Sequence, residues 1–289
     1  MIADGPRVVA IGGGHGLAVT LDALKQYASD ISAIVSVADD GGSSGRLREA
    51  MSVVPPGDIR RCLGALADAD SLIAKAFEYR FGEGELSGHA LGNLVLLGLA
   101  STAGDIQSGI DEAGRLLGAA GRVFPAALEP VVLMADTDGG HVKGQSAVMS
   151  AGGIRRLSWE PAAPKVSREA IEALAAADQV VIGPGSLYTS LIAAGALPGI
   201  VDALATTPGR CVYVANLREQ RGETAGYDVA AHVRALRAHG VRVDTVVADR
   251  RGPPLGDPAV PVLPADVSRN DLSGHDADLL AAVLVSLCT

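Results

Sequence analysis

The sequence predicts an α/β protein: a doubly wound, mostly parallel sheet with helices on both faces and a small antiparallel β insertion. Three observations carry this. Short apolar runs (Val8 to Ile11, Ile31 to Val37, Gln179 to Ile182, Cys211 to Ala215) alternate with helical patterns, the rhythm of βαβ units. Glycine-bearing loops, at 12–16, 41–45, 88–92 and 183–186, each sit at a strand end or a helix start. Between Val123 and Pro161 the helical period gives way to alternation and turns, which reads as β-hairpins.

In chain order, Arg7 to Ile11 is a strand that stops at Gly12-Gly13-Gly14-His15-Gly16, and Leu17, Leu21 and Leu24 form one face of the next helix. A helix N-terminus after a glycine loop is aimed at an anion. The dinucleotide fingerprint G-x-G-x-x-G is not met, because Leu17 stands where the third small residue belongs. The strand Ile31 to Val37 delivers Asp39-Asp40-Gly41-Gly42-Ser43-Ser44-Gly45-Arg46-Leu47-Arg48 and a short helix ending near Met51. Pro55-Pro56-Gly57-Asp58 starts the next helix, with Asp58 as the expected N-cap and Arg60 and Arg61 in its first turn. Ser87 to Asn93 opens an apolar helix, and Asp105 to Leu117 is another. The helical segment therefore runs from about 55 to 118, within one domain spanning 1–289, and a β-hairpin subdomain occupies about 122–161, with Val142 to Met149 as one of its strands. The second half returns to β-α alternation. Asp228 caps one helix, Gly240 ends it, Asp244 to Ala248 is a strand, and 250–264 is a Pro/Gly-rich connection before a last helix, Asp276 to Cys288.

Composition narrows the function. At 289 residues the core is ample, and with 3% aromatic residues it must be built from Ala, Val, Leu and Ile. A net charge of −9 excludes a nucleic-acid-coating surface but not a nucleotide, since backbone N–H groups can hold phosphate. Cys62, Cys211 and Cys288 are too scattered for a zinc ribbon or a disulfide framework. No signal peptide and no membrane-spanning run is legible, so a soluble cytoplasmic protein without membrane insertion is expected. There is no P-loop motif and no Tyr-x-x-x-Lys pair, and no nucleophile–base pair is evident.

In an open α/β sheet the carboxyl ends of the strands share a crevice at the topological switch point, so the four glycine loops can meet there. Gly13, Gly14, His15, Gly16, Gly42, Ser43, Ser44, Gly185 and Ser186 are its candidate phosphate-binding residues. Asp39 and Asp40 could bind Mg²⁺, hydrogen-bond a ribose or cap a turn. Arg46 could clamp a phosphate, and His15 and His89 could donate to one. Asn216, at a strand end, suits a base edge or a sugar hydroxyl; Tyr227 could stack on a base or pack beneath its loop.

These residues carry a resemblance. Gly12 to Leu17, Val37 to Arg48, Pro56 to Arg60, Tyr79 to Phe81, Gly88 to Asn93, Gly183 to Ser190 and Gly222 to Thr224 resemble, in order, the motifs of the bacterial YvcK family, the gluconeogenesis factors. That family lies in the superfamily of CofD, the 2-phospho-L-lactate transferase, and His15 looks like its actinobacterial branch. The resemblance implies a Rossmann-like core, a UDP-sugar ligand such as UDP-N-acetylglucosamine, and a role in cell shape, peptidoglycan synthesis and gluconeogenic growth. It adds Asn93, Leu187, Glu223 and Thr224 to the candidate site, places Tyr227 in the sugar-nucleotide site, and suggests a homodimer. The chain departs from the family at Leu217 to Arg221 and at Ile192 to Ala196, which bears on the ligand's base or sugar more than on its phosphates. Two readings follow. One is a non-catalytic regulatory protein that binds a nucleotide sugar and needs no cofactor. The other is a Mg²⁺-dependent transferase joining a nucleoside-phosphate donor to a small phosphorylated acid, with Asp39 and Asp40 as metal ligands. A nicotinamide dehydrogenase is the weakest, for want of the fingerprint.

Overall fold

The computed structural model describes residues 4–288. Its main sheet has seven parallel strands in the order β10-β9-β8-β7-β1-β2-β3. These are β1 (Arg7–Gly12), β2 (Asp30–Val35), β3 (Arg122–Pro125), β7 (Gln179–Ile182), β8 (Arg210–Val214), β9 (Thr245–Asp249) and β10 (Val262–Ala265). The chain first moves outward from β1 to β2 and β3, then restarts at β7 on the other side of β1 and moves the opposite way. Right-handed crossovers in opposite directions put helices on opposite faces, so the switch point lies between β1 and β7. Their last residues are Gly12 and Ile182, so the loops at 13–16 and 183–186 leave the sheet side by side.

Helix α1 (Gly14–Leu24) packs on β1 through buried Leu17, Leu21 and Leu24, with α3 (Gly57–Leu66) and α12 (Ala277–Val285) beside it. Between β2 and β3 run α2 (Gly42–Met51), α3, α4 (Leu72–Glu78), α5 (Leu91–Ala103) and α6 (Ile106–Leu117). The other face carries α8 (Arg168–Ala176), a π-helical turn (Leu187–Ile192) leading into α9 (Ala193–Gly195), and α10 (Pro198–Thr206). The helix α11 (Val229–Ala238) follows β8; Asp228 caps it by accepting the Ala231 N–H, and Gly240 (φ 82°) ends it. Among the described residues no single helix is long and apolar enough to cross a membrane.

A three-stranded antiparallel sheet, β5-β4-β6, comprises β4 (Val132–Thr137), β5 (Gly140–Lys143) and β6 (Ile154–Glu160). The structure corrects the sequence reading here at both ends. Residues 122–125, expected in the hairpin subdomain, are β3 and pair in parallel with β2 in the main sheet, three of the four being buried. The strand expected from Val142 to Met149 stops at Lys143; Gly144 (φ 100°) turns the chain, and 145–150 form the helix α7 (Gln145–Ser150). A partner distant in sequence selects the helix: the Asp40 carboxylate accepts the Ser146 backbone N–H (3.1 Å) and hydroxyl (2.6 Å). The Pro/Gly-rich connection also hides the edge strand β10.

His232 on α11 is fully buried, with Nδ1 3.1 Å from the Tyr213 hydroxyl, and burial pushes its imidazole down to about 4. Its folded value is therefore below the ordinary unfolded one, so the stabilisation is complete above about pH 6.5 and is lost as pH falls from there toward 4, where the unfolded chain takes a proton that the fold excludes. His239 and His275 shift in the same direction. Urea unfolding between pH 7 and 4 is expected to lose up to about 3 kcal/mol through His232, and His232→Gln should show a shallower decline.

Candidate functional site

A polar cavity of about 340 Å³ lies at the switch point, between the main sheet and α7. Four helices start on it: α1 at Gly14, α2 at Gly42, α3 at Gly57 and α5, whose third residue is Asn93. None of the four is capped by the side chain of its own N-cap residue. By contrast α6, α8, α11 and α12, elsewhere in the fold, are capped by Asp105, Ser167, Asp228 and Asp276. Helix starts carry unsatisfied donors and the positive end of the helix dipole, so their convergence is suited to an anion.

Glycine lets the helix starts meet. A Cβ on Gly57 would stand 2.2 Å from Ser44 Oγ, and one on Gly16 would stand 2.1 Å from the Pro184 carbonyl oxygen. One on Gly13 would stand 2.7 Å from Asp58 Oδ2.

Two carboxylates and three guanidinium groups face the space. Asp39 accepts the Gly41 N–H (3.0 Å). Asp58 accepts Arg61 Nη1 (2.6 Å) and the Gly14 backbone N–H; burial raises its pKa most, Arg61 opposes the rise, and Asp39 adds to it. Asp58 was expected to cap α3, but it lies inside the first turn and reaches across to α1, while Pro56 takes the cap position. Arg60 is 3% exposed, paired with Glu78, and its Nε has no partner. Arg80 completes the cationic side, donating to the Gly88 carbonyl (2.5 Å).

The predicted site residues divide by position. Gly14, Asp39, Gly42, Ser43, Ser44, Asn93 and Ser186 line this cavity. His15, Gly16, Gly185 and Asn216 line an adjoining cleft of about 300 Å³ on the other side of the first turn of α1, walled by Val19, Pro184, Leu217 and Leu272. Tyr227 lines a third hollow with Arg251 and Pro253, its hydroxyl 3.0 Å from that of Tyr188.

Other candidates stand behind these walls. Asp40 turns away to hold α7, so the Asp39–Asp40 pair does not face one point. Both amide groups of Asn216 are engaged by the Gly185 backbone (3.1 and 2.9 Å) rather than left for a base edge. Glu223, buried, accepts the Tyr188 N–H (2.8 Å) and the Thr189 hydroxyl (2.6 Å) and so caps the π-helical turn; burial raises its pKa. The Thr224 hydroxyl accepts the Gln220 N–H (2.8 Å), and Leu187 is fully buried. Arg46 donates to the Ser87 carbonyl (3.0 Å). His89 reaches the cavity only through Ser43, with Nδ1 2.9 Å from Ser43 Oγ.

That contact is a serine–histidine pair, against the expectation of no G-x-S-x-G spacing and no nucleophile–base pair. Its signal is present: Gly41-Gly42-Ser43-Ser44-Gly45 has the G-x-S-x-G spacing after a strand. Ser43, however, lies in the first turn of α2 rather than on a strained elbow. Asp58, Arg60, Arg61, Arg80 and Gln145 also line the cavity without having been placed in the site.

A doubly wound α/β protein with a polar crevice at the switch point of its sheet is the class that this geometry defines. The family model described as 2-phospho-L-lactate transferase CofD matches residues 8–257, and the chain belongs to that family. A relative from Nostoc sp. is 46% identical over 255 residues, 86% of this chain, which spans 56% of that protein's length. A protein of Halalkalibacterium halodurans named gluconeogenesis factor is 44% identical over 87% of this chain and 79% of its own length. The crystal structure of a UPF0052 family member from Bacillus halodurans superposes with a TM-score of 0.93 at 36% identity, covering 98% of this chain and 99% of that one.

The close approach of α3 to α2 gives a direct check. Gly57→Ala should cost about 1–3 kcal/mol by overpacking and weaken anion binding, as read by urea unfolding and sulfate titration. Gly98→Ala, exposed on α5 with nothing within 4 Å of the new Cβ, should instead stabilise, by about 0.5–1 kcal/mol.

Proposed function

We propose that the chain is a UDP-sugar-binding regulatory protein of the cytoplasm, acting as a homodimer in the control of gluconeogenic growth, cell shape and peptidoglycan synthesis. The observation that carries the ligand class is the convergence of four uncapped helix starts on one cavity. The adjoining cleft supports an elongated ligand: its walls are apolar at Val19, Pro184, Leu217 and Leu272, and it meets the cavity at Gly14-His15 and Gly185-Ser186. A diphosphate at the helix starts, with base and sugar in the flanking hollows, suits that layout. The physiological role follows the relative named gluconeogenesis factor and the motif resemblance.

Calorimetry with UDP-N-acetylglucosamine is expected to show saturable binding. Arg80→Ala removes a charge-assisted contact worth about 1.5–3 kcal/mol, so affinity should fall at least about tenfold. Asn216→Ala frees the Gly185 loop and should weaken binding less. Absence of heat at millimolar ligand would sink the reading.

A second reading, the Mg²⁺-dependent transferase, is favoured by Asp39 and Asp58 together on the cavity wall. The raised pKa of Asp58, partly caused by Asp39, is the strain that a divalent cation between them would relieve. The donor set fits Mg²⁺, which takes one or two carboxylates plus phosphate oxygens. In that reading Asp58, rather than Asp40, joins Asp39. Divalent-dependent turnover of a nucleoside-phosphate donor, abolished in Asp58→Asn, is its expected signature; binding of the nucleotide sugar with no turnover in Mg²⁺ would rule it out.

A further inference from the structure

We propose that His239 is a proton-sensitive latch: as the neutral imidazole it fastens the edge of the antiparallel sheet to α11, and as the imidazolium it lets go, loosening the cover of the polar cavity. The consequence for a ligand rests on the reading of that cavity as a phosphate site; the latch itself does not.

The partners of His239 fix its tautomer. Nδ1 is 2.8 Å from the Ala235 carbonyl oxygen, which can only accept, so Nδ1 carries a proton. Nε2 is 3.0 Å from the Leu157 backbone nitrogen, whose N–H can only donate, so Nε2 is bare. The neutral Nδ1–H form alone makes both bonds at once. A second proton sets a ring N–H against the Leu157 N–H, and that bond has to break.

Leu157 lies on β6, an edge strand of the sheet β5-β4-β6. One side of β6 pairs with β4. On the other side two side chains of the main body hold it: His239 accepts the Leu157 N–H, and the Tyr188 hydroxyl donates to the Ile154 carbonyl (3.2 Å). Helix α7 packs on β4 and β5, and its Gln145 and Met149 line the cavity. Releasing β6 therefore loosens β4 and, through it, the α7 wall of the cavity.

The groups facing His239 are Arg156 of β6 and the ring of Tyr188 on the π-helical turn, 6.0 Å away between centroids. Tyr188 is bonded in turn to Tyr227, and burial raises its pKa, so it stays neutral in acid. Burial lowers the pKa of His239 most, the Ala235 carbonyl opposes the shift, and Arg156 adds to it. The folded value is below the ordinary one, so the latch is closed above about pH 6.5 and is lost as pH falls from there through the folded value. A ligand that touches α7 favours the closed latch. It therefore lowers the proton affinity of His239, and by linkage acid works against that ligand.

The test is NMR on the full ¹⁵N-labelled chain, with sulfate as a probe that does not itself titrate in this range. At pH 7.5 the His239 ring, assigned through the neighbouring Ala235 protons, is expected as the Nδ1–H tautomer. Opening of the cover, read by amide exchange at Leu157 and Val148, should rise about tenfold for each pH unit between 6.5 and the His239 value. Val212 and Val214 of β8 should keep their protection over the same range. His239→Ala should remove the pH dependence and leave the cover open throughout. Saturating sulfate should slow exchange at Leu157 and Val148 and lower the His239 pKa, whereas the charge of an anion alone would raise it. An Nε2–H tautomer at pH 7.5, or cover amides that lose protection only together with β8, would overturn the latch. Sulfate that binds yet leaves His239 and the cover amides unmoved would overturn its coupling to the cavity. If no sulfate binds while cover exchange still follows His239, the phosphate reading fails and the latch stands.

Discussion

Four helices point their open N-termini at one cavity, and most of the unusual packing around the switch point serves that arrangement. Positive helix ends repel one another, and N–H groups left without acceptors are costly when buried. The protein offsets this internally: Asp58 takes the Gly14 N–H and Arg61, and Asp39 takes the Gly41 N–H. In effect the two carboxylates stand where a ligand's anionic groups would. Such close packing needs positions without side chains: a Cβ on Gly16 or Gly45 would stand 2.1 Å, and one on Gly57 2.2 Å, from a neighbouring oxygen.

A second layer of polar residues holds the loops that form the walls. Asp40 draws α7, and with it the antiparallel sheet, over the cavity. Glu223 fastens the start of the π-helical turn, whose Thr189 and Ser190 face the same space. Asn216 clamps Gly185, so that β8 fixes the loop leaving β7. These three groups bond backbone across 31 to 106 residues of sequence. That is how loops from distant positions are held to one geometry without a continuous secondary-structure element between them.

The sheet and the meeting of the glycine loops were legible because apolar runs and loop chemistry are local signals. The division of labour among polar residues was not. Asp39 and Asp40 are neighbours in a non-helical loop, and their side chains diverge, one to the cavity and one to Ser146. Sequence offers no means of choosing between them. Asp58 read as a helix cap because Pro-Pro-Gly-Asp is good capping chemistry; its partners on α1 exist only once the helices pack. Helix α7 is a short apolar run, Ala147 to Met149, that reads as easily as a strand; the distant Asp40 carboxylate and the turn at Gly144 decide for the helix.

The proposed anion site also contains an apparent contradiction, since such a site should not be walled by Asp39 and Asp58. At an effective dielectric constant of about 20, a phosphate charge about 4 Å from one ionised carboxylate is opposed by about 4 kcal/mol. Three arrangements relieve that opposition. Asp58 can take a proton, for which burial and Asp39 already prepare it. A divalent cation can sit between phosphate and carboxylates. Or the phosphate can keep to the side of Arg60, Arg80, Ser43 and Asn93, leaving Arg61 on Asp58. The second arrangement brings a cation to the phosphate and belongs to transfer chemistry, whereas the third needs none and belongs to a sensor. One set of side chains thus supports both readings, and the choice rests on which side of the cavity the phosphate occupies.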